Sequence, residues 1–481
     1  MKQYRRILSA ALVLLAPPAL AGADTVQQPA EIVSTANDQS AISLTIYNNN
    51  LALIKDRRKI ALPAGQSQLA LREVSARMWP ETVLLSGGPE VIEQNFEYDL
   101  LSPESLLEKY VGREVGVIRS NPANGTDLPQ QQAKVLSAEG GAVLQMDGHI
   151  EAGIPGRLVY PDLPANLRDR PTLTMLVQNE AQGPREMELS YLSQGLSWQA
   201  DYVAELSADE KRLDLSGWVT LTNESGASYR NARLQLVAGQ VHQVPRRELV
   251  QADAENAPMP LAAAKPAMAE ESMFEYHLYS LDRPTTVLER QKKQVALLQA
   301  AGVQASKELI LRGSEHYYKS ERGGLEEKVD VAVELEIKNE KAGGLGLPIP
   351  AGTVRVYKKD SKGFLQFVGE DSIDHTPEKA AMRLHLGTAF DVSASRTQTS
   401  FRKLGDSTKR NNAYESGYEL KLKNAKDRPV QVKVQESIPG DWKMSAESAK
   451  STKVSAHVAQ WLVDVPAGGE SVLRYTVRVQ M

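Results

Sequence analysis

The chain has 481 residues, of which 42% are hydrophobic and 24% are charged, and its formal net charge at pH 7 is −4. This is the composition of a folding protein rather than of a disordered one, and the length is sufficient for about three domains. The charge excludes the strongly basic balance on which nucleic-acid binding depends, so we expect no nucleic-acid partner. No cysteine is present, which excludes disulfides and thiolate chemistry.

Residues 1–23 have the pattern of a secretory signal peptide. Basic residues lie among the first six positions, an apolar run extends from Ile7 to Ala16, and small residues precede position 24. The apolar run is about ten residues long and ends at Pro17-Pro18, so it is too short to span a bilayer. We therefore expect export to the periplasm or the cell exterior, with no integral membrane span in the mature chain.

The alternation of apolar and polar residues predicts an all-β protein. We expect several β-sandwich and small-barrel domains joined by short linkers, with one or two short helices. The predicted segments are a signal peptide (1–23), an N-terminal β segment (24–97), a small barrel-like domain (98–165), a central β-meander (166–250), a low-complexity linker or loop (251–272) and a C-terminal β-sandwich (273–481).

The barrel-like domain begins with the best helix candidate in the chain. Proline suits the first turn of a helix over residues 103–110, and Leu106, Leu107 and Tyr110 share one face. Short apolar strands with glycine-containing turns follow, and Asp147-Gly148 is a strong hairpin signal. Several short strands in so few residues predict a small closed barrel.

Within residues 186–239, apolar and polar residues alternate in four separate stretches. This pattern predicts a four-stranded β-meander with one apolar face. Trp198 is in phase with the apolar positions and is expected in the core. Trp218 is out of phase, so either a second sheet or domain packs on that face, or the face is a binding surface.

Two stretches in the second half of the chain depart from the regular strand pattern. Residues 251–271 contain no aromatic or β-branched residue, which is typical of a mobile linker or loop. Residues 285–287 and 294–298 predict a hairpin, although residues 287–300 also fit a helical face. One short sequence, an apolar residue followed by Pro-Ala-Gly, occurs at residues 62–65, 349–352 and 465–468. We interpret it as a turn that is used three times rather than as a true repeat.

Several longer motifs resemble an exported bacterial family. These motifs are Trp198-Gln199-Ala200-Asp201-Tyr202, Ser216-Gly217-Trp218-Val219-Thr220, residues 229–239, Val368-Gly369-Glu370, Asp374-His375-Thr376-Pro377 and Pro439-Gly440-Asp441-Trp442. The family is that of the domain of unknown function DUF4139, which is distantly similar to mucoidy-inhibitor-like proteins. The resemblance extends from about Thr45 to the end of the chain. It implies a mostly β exported protein and supplies no catalytic residue.

The sequence contains no recognisable reaction centre. No two of the seven histidines have a metal-ligand spacing, and no nucleophile elbow or phosphate-binding glycine loop occurs. Four carboxylates of the central segment can pair as acid and base, or are ordinary residues of a half-exposed sheet face: Asp201, Glu205, Asp214 and Glu224. We therefore expect no catalytic, metal-binding or cofactor-binding residue.

Two hypotheses about function remain. The first is an exported, non-catalytic cell-envelope protein that presents β-surfaces to an envelope protein or polymer, with Trp218, Tyr229 and His375 as the possible binding surface. For His375 the alternative is a turn-stabilising hydrogen bond. The second hypothesis is a hydrolase that acts on an envelope glycan or peptide polymer through paired carboxylates.

Overall fold

The structure is a computed structural model that describes residues 31–164, 167–239, 241–242, 268–404 and 413–480. In these ranges it contains 32 strands, one α-helix and four short 3₁₀ helices. The all-β fold with several sheets, which the period-two alternation predicts, is therefore confirmed. The predicted signal peptide and residues 251–267 of the predicted linker lie outside the described residues.

The strands of the first half are β1 (Glu31–Ser34), β2 (Gln39–Tyr47), β3 (Leu51–Leu62), β4 (Gly65–Arg72), β5 (Leu84–Ser86), β6 (Glu90–Glu97), β7 (Glu114–Ile118), β8 (Gln131–Ser137), β9 (Val143–Met146), β10 (His149–Ala152), β11 (Arg157–Val159), β12 (Thr172–Asn179), β13 (Gly183–Ser193), β14 (Leu196–Leu206), β15 (Arg212–Asn223) and β16 (Tyr229–Ala238). Those of the second half are β17 (Met268–Met273), β18 (Tyr276–Leu281), β19 (Thr285–Val287), β20 (Gln291–Arg312), β21 (Glu326–Val329), β22 (Ala332–Lys338), β23 (Gly352–Lys359), β24 (Leu365–Ile373), β25 (Ala381–Thr388), β26 (Val392–Lys403), β27 (Ala413–Asn424), β28 (Val430–Ser437), β29 (Asp441–Glu447), β30 (Thr452–Ser455), β31 (Val458–Val465) and β32 (Glu470–Gln480). The 3₁₀ helices are Ala36–Asp38, Pro80–Thr82, Glu315–Tyr318 and Lys341–Gly343.

The strands form five sheets, in which neighbouring strands are hydrogen-bonded. Their orders are β1-β4-β12-β6, β10-β9-β8-β7-β11, β17-β18-β16-β2-β3-β13-β5 with β19 beside β16, β24-β23-β14-β15-β20-β28-β31-β30 with β22 beside β20 and β25 beside β22, and β21-β26-β27-β32-β29.

The first and largest core lies between the eight-stranded and ten-stranded sheets, with the four-stranded sheet packed against it. Leu44 and Ile54 come from the eight-stranded sheet, Tyr202 and Leu221 from the ten-stranded sheet, and Met175 from the four-stranded sheet. Each of these five side chains is 0% exposed. The core combines residues of the predicted segments 24–97, 166–250 and 273–481, while the predicted domain boundaries themselves stay a prediction.

The four strands predicted for residues 186–239 all form, but the predicted meander is wrong. Only β14 and β15 pair with each other. β13 pairs with β3 and β5, and β16 pairs with β2, β18 and β19. Consecutive strands are thus divided between the two sheets that face each other across the first core. This division buries the apolar face of each sheet against the other.

The five-stranded sheet β10-β9-β8-β7-β11 and the helix α1 (Pro103–Lys109) enclose a small separate core. The predicted helix is confirmed: Pro103 is in its first turn, and the hydroxyl of Ser102 accepts a hydrogen bond from the Ser105 N–H at 3.0 Å. The predicted hairpin at Asp147-Gly148 also forms, with positive φ angles of 47° and 80°. The sheet is open, so the predicted closed barrel is wrong.

Two further predictions for the second half need correction. Residues 268–272 of the predicted linker lie in β17, which pairs with β18. The strands β19 and β20 form, and the helical alternative for residues 287–300 is wrong. β19 pairs with β16 and not with β20, so the predicted hairpin is wrong as well.

The strand β20 connects the first core with a second one. It has 22 residues, so it spans about 70 Å at the usual strand rise. Its Val295 belongs to the first core, whereas Leu311 belongs to the second. The second core lies under the sheet β21-β26-β27-β32-β29 and includes Trp461 and Tyr475, whose rings stack with centroids 4.9 Å apart. The terminal strand β32 pairs on both sides, which ties down the end of the described chain.

A buried asparagine follows or ends four of the strands and organises the turn after it. Asn179, Asn223, Asn339 and Asn424 are at most 2% exposed. The carboxamide of Asn424 donates to the carbonyl oxygens of Arg428 at 2.8 Å and Pro466 at 3.1 Å, and accepts from the Lys426 N–H at 3.0 Å. That of Asn179 similarly donates to the Pro63 carbonyl at 2.8 Å. Two of the three apolar-Pro-Ala-Gly turns are therefore held by an asparagine side chain.

Candidate functional site

The ten-stranded sheet has a second face, opposite the first core, which we call the outer face. In β14 and β23 the residues that point into the core are buried, for example Tyr202 and Val356, while the intervening residues are partly exposed. This follows directly from strand alternation. The candidate site is formed by eight residues of the outer face: Glu370, Arg355, Asp201, Thr220, Gln294, Trp218, Tyr357 and Phe367.

Polar side chains form a continuous chain across five adjacent strands of this face. Arg355 on β23 contacts Glu370 on β24 at 3.1 Å and Asp201 on β14 at 3.0 Å. The hydroxyl of Thr220 on β15 donates to the other carboxylate oxygen of Asp201 at 3.0 Å. The carboxamide of Gln294 on β20 donates to the Thr220 hydroxyl at 3.2 Å. Each polar group in the chain has a partner, and Arg355 offsets the charge of one of the two carboxylates.

Aromatic side chains lie beside this polar chain. Tyr357 and Phe367 pack edge-to-face with ring centroids 5.6 Å apart. Trp218 lies on the outer face, as its phase predicts, directly opposite Asp201 and half-buried. Its indole N–H is shielded from solvent and has no hydrogen-bond partner in the described part of the chain. The site thus combines flat aromatic surface with fixed hydrogen-bonding groups.

Tyr229, which the sequence places in a binding surface, lies in the first core. It is 3% exposed, and its hydroxyl is 3.0 Å from that of Ser225. Burial raises the pKa of the Tyr229 hydroxyl. The reason for the inward orientation is a register shift between Tyr229 and Ala232, where Asn231 has a φ of 52°. The extra residue reverses the alternation, so the expectation of a surface position is corrected.

His375 lies partly exposed in the loop between β24 and β25. The backbone N–H of Ala351 donates to its Nδ1 at 3.1 Å, which joins this loop to the turn before β23. Partial burial lowers the pKa of His375; Asp374 acts against this effect and His277 adds to it. The neutral ring that accepts this hydrogen bond matches the turn-stabilising role that the sequence offers as the alternative to ligand binding.

The carboxylates that could serve as an acid–base pair all have structural partners or are isolated on the surface. Asp201 belongs to the polar chain described above, and Glu205 forms an ion pair with Lys359. Asp214 lies opposite Glu205 on the neighbouring strand and accepts from the Gly302 N–H at 2.8 Å. Glu224 is exposed. This arrangement is that of surface ion pairs on a sheet, and it gives the hydrolase hypothesis no structural support.

A groove of about 420 Å³ lies where the first and second cores adjoin. Glu210 in its wall contacts Lys307 at 2.9 Å and Lys358 at 2.6 Å, and Glu308 contacts Lys433 at 2.6 Å. Burial alone would raise the pKa of Glu210, but the two lysines outweigh it and lower this pKa to about 2. Because these cations already have carboxylate partners, the outer face is the stronger candidate site.

Two kinds of feature are absent from the described residues. No group of three or more histidine, aspartate and glutamate side chains is placed to hold a metal ion there. Within the same ranges, no helix has the length and apolar character needed to cross a membrane.

The sequence singled out two of the eight residues of the candidate site: Trp218 as a possible binding residue by its phase, and Asp201 as one of four carboxylates that can lie on a half-exposed sheet face. The same signal was available for Tyr357, which follows the buried Val354 and Val356 at an out-of-phase position. Arg355 shares this out-of-phase position, but its contacts, like those of Phe367, depend on which strands become neighbours.

Comparison with known proteins agrees with the motifs in the sequence. A search of curated proteins found no match to this chain. The family model described as "Domain of unknown function (DUF4139)" matches residues 187–481, which is well over half of the chain. The resemblance upstream of residue 187, and that to mucoidy-inhibitor-like proteins, stays a prediction. The matched region contains the whole candidate site, and the chain belongs to the DUF4139 family.

Proposed function

We propose that this is an exported, non-catalytic cell-envelope protein that binds a component of the envelope through the outer face. The observation that carries the proposal is the chain of contacts from Glu370 through Arg355 and Asp201 to Thr220, with aromatic rings beside it. An ordered polar surface with adjacent aromatic side chains is typical of recognition surfaces, where tyrosine, tryptophan and arginine contribute most of the binding energy.

The charges of this surface favour one kind of partner over another. Arg355 is already paired with two carboxylates, so a strongly anionic polymer gains little from it. A partner that offers hydrogen-bonding groups and apolar patches can use the fixed donors and acceptors without displacing the ion pairs. The export prediction supports an envelope location for such a partner.

Affinity capture from envelope extract tests the proposal. The purified protein is immobilised beside two variants of the face, Trp218→Ala and Tyr357→Ala, and beside Ile150→Lys, a control at an exposed position on another sheet. We expect one component to be captured by the original and control proteins and to be lost with both face variants. Equal capture by all four proteins would exclude the outer face as the binding site.

The same preparations are incubated with envelope glycan and peptide substrates. Turnover that is lost in Asp201→Asn without a change in the circular dichroism spectrum would replace the proposal by the hydrolase hypothesis. Mass spectrometry of the protein recovered from a periplasmic extract tests the export prediction, because cleavage is expected near residue 23.

A further inference from the structure

The ten-stranded sheet contains a gap where β20 exchanges one neighbouring strand for another. Its N-terminal part pairs with β15, and its C-terminal end pairs with β28. The N–H of Ala305 donates to the carbonyl of Lys211, directly before β15. The N–H of Gly313, directly after β20, donates to the carbonyl of Gln435 in β28. Ala305 and Gly313 are an even number of residues apart, so β15 and β28 lie on the same side of β20 and leave a gap between their ends.

The groove of about 420 Å³ lies at this gap, between elements of the first core and elements of the second. Its wall includes Glu210 in the turn between β14 and β15, and Lys307 of β20. From the other side come Lys426 and Arg428, in the turn between β27 and β28. Ligand sites occur preferentially at such junctions, and the volume is in the range of about 300–1,000 Å³ that is usual for them.

Three cations surround the single carboxylate of Glu210. Lys307 contacts it at 2.9 Å, Lys358 of β23 at 2.6 Å and Arg428 at 3.8 Å. Three positive charges against one negative charge leave an excess of two. Burial acts to raise the pKa of Glu210, yet Lys358 and Lys307 lower it to about 2, which indicates a strongly positive potential at this point of the groove.

Lys426 adds a further positive charge to the groove. It is half-buried, and among the described residues its side chain forms no ion pair. Asp427, the next residue, is exposed and does not line the groove. The second carboxylate in the wall, Glu308, is matched by Lys433 at 2.6 Å and leaves the excess unchanged. Cations held close together in a half-buried groove repel one another, so an anion gains more there than on an open surface.

We propose that this groove binds a multiply charged phosphate group. A phosphate ester carries about 1.5–2 negative charges at neutral pH, which matches the excess around Glu210. Three of the four cations are lysines, which act as point charges and suit a tetrahedral anion that they approach from several elements. A planar carboxylate is held best by the paired donors of an arginine, and Arg428 is 65% exposed at the rim.

The groove is larger than a phosphate ion, which leaves room for the molecule that carries the phosphate beside the exposed Leu462. A soluble phosphate ester and a lipid headgroup both offer this chemistry, and the experiments below distinguish them. The proposal rests on the groove alone and does not depend on the proposed function of the outer face.

Calorimetric titration with inorganic pyrophosphate, in a phosphate-free buffer of low ionic strength, tests the proposal. We expect saturable binding that weakens as salt is added. The double variant Lys426→Ala with Arg428→Ala removes two cations of the groove and keeps the Arg428 carbonyl that Asn424 holds, so binding should weaken at least about tenfold. The matched control is Lys443→Ala with Arg478→Ala, which removes the same charges from exposed, directly opposite positions of β29 and β32 and should bind like the original protein.

The variant Glu210→Gln separates a binding role of the cations from a structural one. It removes the carboxylate that competes with the ligand, so pyrophosphate should bind at least about threefold more tightly, although the variant without ligand is less stable. Unchanged or weaker binding would contradict the proposal. The outer-face variants Trp218→Ala and Tyr357→Ala are expected to bind pyrophosphate like the original protein, whatever they do to capture of an envelope component.

Two further ligands test the chemical class and the source of the phosphate. Citrate, which offers carboxylates, should bind at least about tenfold more weakly than pyrophosphate, and equal affinity would overturn the assignment to phosphate. Sedimentation with phosphatidylglycerol vesicles that is lost in the double variant would identify a lipid headgroup, whereas pyrophosphate binding without vesicle binding would identify a soluble ester. Absence of both kinds of binding, or an equal loss in the control variant, would overturn the proposal.

Discussion

Arg396 and Glu436 form an ion pair inside the second core, where the two residues are 2% and 0% exposed. The hydroxyl of Tyr318 donates to the second carboxylate oxygen at 2.8 Å, and the Tyr317 ring centroid lies 4.0 Å from the guanidinium carbon. Nε and Nη1 of Arg396 have no hydrogen-bond partner among the described residues. Each charge is therefore retained in the core chiefly by the other, because a lone buried charge is strongly unfavourable.

Removing one member of this pair is expected to be more harmful than removing both. Glu436→Leu leaves Arg396 buried without a counter-charge and should lower the free energy of unfolding by about 3–5 kcal/mol. Arg396→Met combined with Glu436→Leu should cost clearly less than the sum of the two single substitutions. Urea unfolding followed by circular dichroism measures the three values, and strict additivity would contradict the coupling.

The two tryptophans of the β14–β15 pair should differ sharply in their contribution to stability. Trp198 faces the first core and is 3% exposed, so Trp198→Ala should destabilise by about 3–5 kcal/mol through loss of buried contacts. Trp218 is half-buried on the outer face, and Trp218→Ala should cost less than half as much. Denaturant unfolding of both variants checks this, and an unchanged transition for Trp198→Ala would refute the core assignment.

The stability of the folded protein should depend on pH through the ionisation of the Glu210 carboxylate. Lys358 and Lys307 lower its folded-state pKa to about 2 from the ordinary 4.5, so the ionised form stabilises the folded state. This contribution is complete above about pH 4.5 and is lost as the pH falls toward 2.

The variant Glu210→Gln should therefore lose on the order of 2 kcal/mol at neutral pH. Its difference from the original protein should shrink between pH 4.5 and 3, when unfolding is measured at each pH. Glu205→Gln, at an exposed ion pair, serves as the control and should change stability little. If the difference in the free energy of unfolding between Glu210→Gln and the original protein does not change with pH, packing and not charge is responsible for the loss of stability.

The buried asparagines should be essential for the turns that they hold. Asn424→Ala removes the donor to Arg428 and Pro466 and the acceptor for Lys426, so buried backbone groups lose their partners. We expect a loss of about 2–4 kcal/mol, whereas Asn121→Ala in an exposed turn should cost less than about 1 kcal/mol. Similar unfolding midpoints for the two variants would argue against this role.

Local properties of the fold could be predicted from the sequence because they depend on residues close together in the chain. The alternation of apolar and polar residues determined the strands, the all-β class and the opposite faces of Trp198 and Trp218. Proline at the start of α1 with the shared face of Leu106, Leu107 and Tyr110, and Asp147-Gly148 between β9 and β10, determined a helix and a hairpin. In each case the conformation follows from the backbone preferences of a few consecutive residues.

The pairing of strands was decided only by the tertiary structure. A period of two shows which residues of a strand share a face, but not which strand lies beside it, so β13 joins β3 across more than a hundred residues of sequence. The orientation of Tyr229 depended on one extra residue at Asn231, which reverses the alternation. The polar chain from Glu370 to Gln294 also required five strands to become neighbours. Alternation within one strand determines which of its side chains share a face of the sheet. Which strands pair with each other depends on the burial of apolar surface over the whole chain.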